Sequence, residues 1–325
     1  MDTSVMITLG FLVFAIVMFA WEKIPLSITA MVVAVGLHLS GVLSAKEAFA
    51  GFVDPNVLLF MGMFVIGEAF FATGVAVEVG NVVHKFAKTE TSLLVAVMMI
   101  TGILSGFLSN TGTAAVLIPV IIGICKKSGF KQTKLLMPLV FAAAMGGNIS
   151  LIGAPGNMIA QAGLQQAGLG SFGFFDYGLV GLPILIVGTI FYATIGKRFL
   201  PDAPSHQPDG AFEGNEDYSH VPSWKKWTSA FVLILTVGAM IFEKQLGVKL
   251  YVSAWVGALV LVATNVISET AAVKSIDMKT IMLFAGSMAL GDAMVKTGTG
   301  SVIADIIVNS LGASPSPIVV LVVIF

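Results

Sequence analysis

Seven apolar runs, each close to the length that crosses a bilayer as one helix, constrain the fold more than any other feature of this chain. They cover residues 4–21, 25–43, 56–73, 177–196, 228–242, 250–267 and 279–295. The chain is 57% hydrophobic and only 11% charged, so a water-soluble core could not bury its apolar side chains. The sequence therefore predicts an all-α polytopic membrane protein.

Two further apolar stretches are interrupted by small and polar residues. Residues 91–125 contain LSNTGTAAVLIP at 108–119, and residues 134–167 contain MGGNISLIGAPGN at 145–157. As one straight helix the first stretch would be about 52 Å long at ~1.5 Å per residue, too long for one crossing of a ~30 Å core. Its second arm, 112–125, is too short for another crossing. We predict a re-entrant hairpin with a polar tip at 91–125 and one broken transmembrane helix at 134–167.

This topology separates the basic residues of the chain. Of its 17 lysine and arginine residues, only Lys46, Lys244, Lys249 and Lys296 fall on one side of the membrane. The other side is basic and is therefore cytoplasmic by the positive-inside rule. We expect a multi-pass protein of the cell (inner) membrane, with its N-terminus outside and a cytoplasmic linker at 201–227.

An internal repeat relates residues 58–74 to residues 282–298, which align without gaps at an offset of 224. The matched positions are Gly62 with Gly286, Gly67 with Gly291, Glu68 with Asp292, and Thr73-Gly74 with Thr297-Gly298. Five predicted crossings separate the copies, and an odd number gives an inverted-topology repeat, a common feature of secondary transporters. We predict a first repeat at 1–200 and an incomplete, truncated second repeat at 228–325, because the counterpart of Ser109 would fall at position 333.

The two breaks have the composition of a binding site. Non-helical backbone at membrane depth needs partners other than lipid, because lipid cannot satisfy N–H and C=O groups. Hydroxyl, amide and freed carbonyl oxygens suit a hard cation such as sodium, and a helix N-terminus suits an anion. Neither break contains an ionisable residue, which favours sodium over protons. The alternative is that the small residues serve close helix packing or a kink.

Both breaks resemble those of the divalent anion:sodium symporter family of the ion transporter superfamily, which carries sulfate or di- and tricarboxylates. Ser109-Asn110-Thr111 matches the motif that caps the re-entrant hairpin in that family. The unwound part of the following helix is matched by Gly146-Gly147, Ile152-Gly153, Pro155 and Asn157. The family's usual Thr, Thr and Pro are replaced here by Ser150, Ala154 and Gly156.

The resemblance implies that the breaks hold a sodium ion and an anionic substrate. The implied sodium ligands are Ser105, Ser109, Asn110 and the carbonyls near Gly147 and Gly153. The implied substrate-binding residues are Asn110, Thr111, Thr113, Ser150, Pro155 and Asn157. We expect no catalytic residue, no nucleic-acid partner at a net charge of −1, and a homodimer in the lipid bilayer.

We interpret the chain as a secondary active transporter that couples sodium to a C4-dicarboxylate or sulfate by alternating access. Two other members of the superfamily remain open, an arsenite exporter and a sodium/proton antiporter. The antiporter would need an essential carboxylate, for which Glu68 is the candidate. A polytopic membrane enzyme would need clustered acids, histidines or metal ligands, and the spans contain no such cluster. A non-transporting fragment is the remaining alternative.

Overall fold

The computed structural model describes residues 2–86, 89–128, 130–200, 218–303 and 305, and within these ranges the regular structure is helical, with no β-strand. The α-helices are α1 (Thr3–Trp21), α2 (Leu26–Leu39), α3 (Ala45–Ala48), α4 (Pro55–Ala72), α5 (Val75–Phe86), α6 (Glu90–Ser105), α7 (Asn110–Ser128), α8 (Thr133–Gly146), α9 (Pro155–Gln166), α10 (Gly178–Thr194), α11 (Ser223–Ile241), α12 (Glu243–Leu246), α13 (Leu250–Ala263), α14 (Glu269–Ser275) and α15 (Met278–Thr297). Short 3₁₀ helices lie at Ala50–Val53, Gly196–Arg198 and Tyr218–His220.

Helix length and composition agree with a membrane protein. Among the described residues, α1, α4 and α15 have at least 18 residues and are apolar enough to cross a bilayer. Shorter apolar helical segments are α2, α6, α8, α10, α13 and the part Asn110–Cys125 of α7. Large apolar side chains face outward, such as Leu179 on α10, which is 80% exposed. Such a surface suits lipid, because soluble proteins rarely expose large apolar patches. The prediction of an all-α polytopic membrane protein is confirmed, whereas the orientation of the N-terminus stays a prediction.

Several helix boundaries differ from the predicted spans for local backbone reasons. Both α2 and α13 end four residues early, because a left-handed residue follows each of them, Gly41 with φ 78° and Asn265 with φ 56°. The helix α11 begins at Ser223, inside the predicted linker and directly after Pro222. Residues 201–217 of that linker lie outside the described residues.

The described chain divides into two compact units. One comprises the described parts of residues 1–57 and 278–325, and the other comprises those of residues 58–277. In the second unit α6, α7, α8 and α10 share a core of buried apolar side chains that includes Leu93, Leu139 and Leu185. Both predicted breaks belong to this unit, so its core positions them.

The two copies of the predicted repeat have the same local structure where α4 and α15 end. Thr73 and Thr297 each donate a hydrogen bond at 2.7 Å to the carbonyl four residues earlier in the helix. The glycine after each threonine has a positive φ, 78° at Gly74 and 72° at Gly298. The matched Thr-Gly pairs therefore end their helices in the same way, since a left-handed residue stops a helix and glycine adopts this conformation without strain.

The packing of the two copies is reciprocal. Gly62 of α4 lies against Ala254 of α13, and Gly286 of α15 lies against Ala30 of α2. Gly62 and Gly286 are related by the offset of 224, and so are Ala30 and Ala254. The offset thus makes α15 the counterpart of α4 and α13 the counterpart of α2. The contact of α4 with α13 therefore corresponds to the contact of α15 with α2. This reciprocity supports the internal repeat, and the inverted orientation of the second copy stays a prediction.

An exposed ion pair in the first unit gives a pH-dependent part of the stability. Lys296 Nζ donates to both carboxylate oxygens of Glu47, at 2.9 and 2.8 Å, and the Ser44 N–H donates to Oε2 at 2.7 Å. These hydrogen bonds lower the pKa of Glu47 from 4.5 to about 2, and the bond from Lys296 makes the largest contribution. A depressed carboxyl pKa stabilises the folded state fully above the unfolded pKa of 4.5, and this effect is lost as the pH falls towards about 2.

We therefore expect Glu47→Gln to lower the melting temperature above pH 4.5, to do so progressively less as the pH falls through about 2, and to have little effect below that pH. Thermal unfolding of both proteins across this pH range measures the difference. Added salt should reduce it, because the pair is exposed to solvent. A difference of constant size at every pH would show that the ion pair is not its source.

Candidate functional site

The first break lies between α6, which ends at Ser105, and α7, which begins at Asn110. The hydroxyl of Ser109 accepts a hydrogen bond from the N–H of Gly112 at 3.1 Å, the geometry of a helix N-cap. The polar tip predicted at 109–113 therefore belongs mostly to the first turn of α7. The non-helical residues of this break are 106–109, because Ser109 caps α7 and the helix begins at the next residue.

The second break separates α8, which ends at Gly146, from α9, which begins at Pro155. Proline suits the first helical position, because an N–H there would have no partner within the helix. The buried side chain of Asn157 closes the loop by donating to the carbonyls of Gly147 and Ser150, both at 2.9 Å. The amide nitrogen of Asn157 is thereby committed to the backbone of the break.

Asn110 connects the two breaks. Its side-chain amide nitrogen lies 2.6 Å from Ser105 Oγ and 3.1 Å from each of the carbonyl oxygens of Ala143 and Gly153, and these three acceptors share its two protons. The nitrogen and not the oxygen faces these atoms, because the two carbonyls can only accept a hydrogen bond, and the single hydroxyl proton of Ser105 can go to the Ala143 carbonyl at 2.7 Å. Gly147 lies against the same amide, where a Cβ would come within 2.5 Å of it. Three of the predicted sodium ligands, Ser105, Gly147 and Gly153, therefore surround the amide of a fourth, Asn110.

Ser150 forms a second connection between the breaks. Its fully buried hydroxyl donates to the carbonyl of Gly106 and accepts from the N–H of Ile152 at 3.3 Å. Buried carbonyls that lose their donor are costly, because no water replaces it. The hydroxyl of Ser150 therefore fixes the position of one break against the other.

Replacing Ser150 with alanine should lower the free energy of unfolding by about 1–3 kcal/mol, because the Gly106 carbonyl and the Ile152 N–H would lose their partner. Thermal unfolding in detergent measures the loss. Ser171→Ala is the matched control, since Ser171 is exposed, and it should change little. Equal effects of the two substitutions would show that the buried hydrogen bonds of Ser150 do not contribute to the free energy of unfolding.

Close approach around the breaks depends on several glycines, of which the sequence interpretation had named Gly146 but not its neighbours Gly102 and Gly181. A Cβ on Gly146 of α8 would overlap the backbone of Gly102 on α6, and a Cβ on Gly181 of α10 would overlap the carbonyl of Asn148 in the second break. Gly102 and Gly106 stand four residues apart. Small residues four positions apart often mark a close contact between two helices, so this spacing could have predicted the contact from the sequence.

The other predicted substrate residues differ in exposure. Thr111 and Pro155 are exposed at the starts of α7 and α9, and a Cβ on Gly156 would have no atom within 4 Å. Thr113 is fully buried, and its hydroxyl forms no hydrogen bond within the described part of the chain. The two exposed helix starts could therefore reach a substrate directly, whereas Thr113 would need a rearrangement.

The carboxylate named for the proton-coupled alternative lies on α4. Glu68 is half-buried there, three residues before Phe71. The ring of Phe71 packs against Gly112, where a Cβ would come within 2.6 Å of it. The end of α4 thus contacts the first turn of α7, and Glu68 lies on the helix that reaches the first break.

Comparison with known proteins agrees with these features. A sequence profile described as "Citrate transporter" matches residues 16–325. The uncharacterized transporter YfbS of Escherichia coli (strain K12) is 33% identical over 211 residues, which cover 65% of this chain and 35% of YfbS. An uncharacterized transporter of Haemophilus influenzae is 25% identical over 319 residues, which cover 92% of this chain and 67% of that protein.

A relative with a more specific name is "Probable sodium/sulfate cotransporter 3" of Chlamydomonas reinhardtii. It is 27% identical over 168 residues, which cover 49% of this chain and 19% of that protein. The chain therefore spans about a third of YfbS and a smaller share of the algal protein.

Proposed function

Since the chain belongs to the citrate transporter family of the ion transporter superfamily, we propose that it carries a small divalent anion across the membrane by sodium-coupled symport. The candidate substrates are a C4-dicarboxylate and sulfate. The name of the algal relative supports sulfate and sodium, and the family description supports a carboxylate. We assign the protein no catalytic role and propose that it works as a homodimer in the bilayer.

The position of the Asn110 amide is the observation that carries this proposal. It lies among the hydroxyl of Ser105 and the carbonyls of Ala143 and Gly153, which are oxygen ligands of the kind that sodium uses in transporters. Rotation of the amide by half a turn would replace its nitrogen with its oxygen. A sodium ion would then take over the bridging role of the amide protons, so that binding of sodium holds the two breaks together.

The anion would be held by the starts of α7 and α9. The first N–H groups of a helix lack partners within the helix and lie at its positive end, which favours an anion. Neither break contains a lysine or arginine. Sodium and the helix N-termini would therefore balance the substrate charge. This arrangement makes anion binding depend on sodium, and the loaded site would then alternate between the two sides.

Uptake into liposomes tests the proposal. We expect the purified, reconstituted protein to accumulate labelled succinate, citrate or sulfate when an inward sodium gradient is applied, and to accumulate far less with a matched choline gradient. Uptake of all three anions at the same rate with either cation would overturn sodium coupling. Transport of none of them would overturn the substrate class.

The proton-coupled alternative is tested by Glu68→Gln in the same assay. Under sodium symport this variant should retain most of the sodium-driven uptake, because the Glu68 carboxylate is not among the groups around the Asn110 amide. Complete loss of transport by a variant that is folded and inserted would favour the antiporter.

A further inference from the structure

A cavity of about 430 Å³ lies within the second unit, away from the two breaks. It is formed where the starts of α6 and α8 meet the short helix that follows α10. Its polar lining consists of Glu90, Thr91, Lys134, Lys197 and Arg198, and two leucines complete the wall. No part of the proposed transport site uses these side chains.

The charges of this cavity suit an anion that also carries a hydroxyl group. The lining contains three cationic side chains and one carboxylate, and their formal charges sum to +2. Lys197 Nζ is held in place by a bond of 3.2 Å to Thr91 Oγ1. One carboxylate oxygen of Glu90 is buried and has no hydrogen-bond partner within the described part of the chain. Such an oxygen needs a donor, because burying it unpaired is costly.

The surface beside the cavity is apolar and suits acyl chains. Lys134, Met137 and Phe141 follow one face of α8, and the latter two are 50% and 45% exposed. Phe141 contacts Tyr192 of α10 with ring centroids 5.9 Å apart, so the outer faces of the two helices are adjacent. In a membrane protein this face meets lipid, and it leads directly to Lys134. A soluble anion would use the cavity alone and leave this apolar path without a role.

We propose that the cavity binds the headgroup of an anionic glycerophospholipid that carries hydroxyl groups, such as phosphatidylglycerol. The phosphodiester pairs with Lys134, Lys197 and Arg198, a headgroup hydroxyl donates to Glu90, and the acyl chains lie along α8 and α10. The same basic residues belong to the side that the positive-inside rule predicts to be cytoplasmic. The site would anchor the scaffold of α6, α8 and α10 to one leaflet, and it does not depend on the transported substrate.

Binding of defined lipids to the purified protein tests this site, by native mass spectrometry and by thermal shift in detergent. We expect dioleoyl phosphatidylglycerol to bind more tightly than dioleoyl phosphatidylethanolamine. The double substitution Lys134→Gln and Arg198→Gln should weaken the binding of phosphatidylglycerol by about tenfold or more. The matched control is Lys225→Gln with Lys274→Gln, which removes two lysines outside the cavity and should change little. Equal binding of the two lipids, or equal loss in the control, would overturn the proposal.

Two further probes identify the part of the lipid that is recognised. Soluble glycerophosphoglycerol should bind far more weakly than the lipid, and equal binding would point to a free anion instead. Phosphatidylmethanol has the same charge without hydroxyl groups, and it should bind severalfold more weakly than phosphatidylglycerol. Glu90→Ala should remove that preference while the protein stays folded. A preference that survives Glu90→Ala would overturn the role of Glu90.

Discussion

Replacing Gly146 with alanine is expected to lower the free energy of unfolding by about 3 kcal/mol or more, the upper part of the range for overpacked sites. A Cβ at this position would come within 2.5 Å of Gly102 Cα and within 2.6 Å of its carbonyl carbon. These are backbone atoms of α6, which cannot rotate away as a side chain would. The substitution must therefore separate α6 from α8, and with them the two breaks.

Thermal unfolding in one detergent measures this effect, with Gly163→Ala as the matched control. Gly163 is an exposed glycine inside α9, and a Cβ there would have no atom within 4 Å. Alanine should be neutral at this position or stabilise by about 0.5–1 kcal/mol, because it restricts the unfolded chain. If Gly146→Ala unfolded at the temperature of the control, the helices would not be in the close contact described.

The second large effect is expected at Asn110. Asn110→Ala removes the group that joins Ser105, Ala143 and Gly153, so the sodium concentration for half-maximal uptake should rise by about tenfold or more. The anion concentration for half-maximal uptake should rise with it, since sodium helps to form the anion site. Transport kinetics in liposomes measure both quantities.

Asn110→Asp separates a sodium site from a purely structural amide. A carboxylate at this position would face one hydroxyl and two carbonyl oxygens without donating a proton to any of them. The variant should be less stable than the unsubstituted protein in choline buffer and should gain more stability on addition of sodium. Asn265→Asp is the control, because Asn265 is exposed in a turn. Equal stabilisation of all three proteins by sodium would argue against a cation at Asn110.

The sequence was sufficient to predict the helical membrane fold and the presence of a break in each of the two interrupted apolar stretches. Glycine and proline weaken helices wherever they occur, and a membrane core allows non-helical backbone only at protected sites, so both signals are local. The position of the first break was predicted less well. Its polar residues were expected in the tip, but Ser109 caps α7 and places Asn110 and Thr111 in the helix.

The contacts between the breaks could not be derived from local sequence. The pairing of Ser150 with the Gly106 carbonyl, and of Asn110 with Gly153, depends on how α6, α7 and α8 pack in three dimensions. The cavity lined by Lys134 and Lys197 was not expected for the same reason, because these residues belong to helices that meet only in the folded chain. Composition and motifs identified the candidate site residues, whereas packing determined which of them meet.

The measurement that tests the central claim most directly is the mutual dependence of sodium and anion binding. The affinity of the purified protein for succinate, citrate and sulfate would be measured in choline and in sodium, and its affinity for sodium with and without the anion that binds. If the two breaks form one shared site, sodium should raise the anion affinity by about fivefold or more, and the anion should raise the sodium affinity by the same factor. Anion affinity that is the same in choline and in sodium would contradict the account.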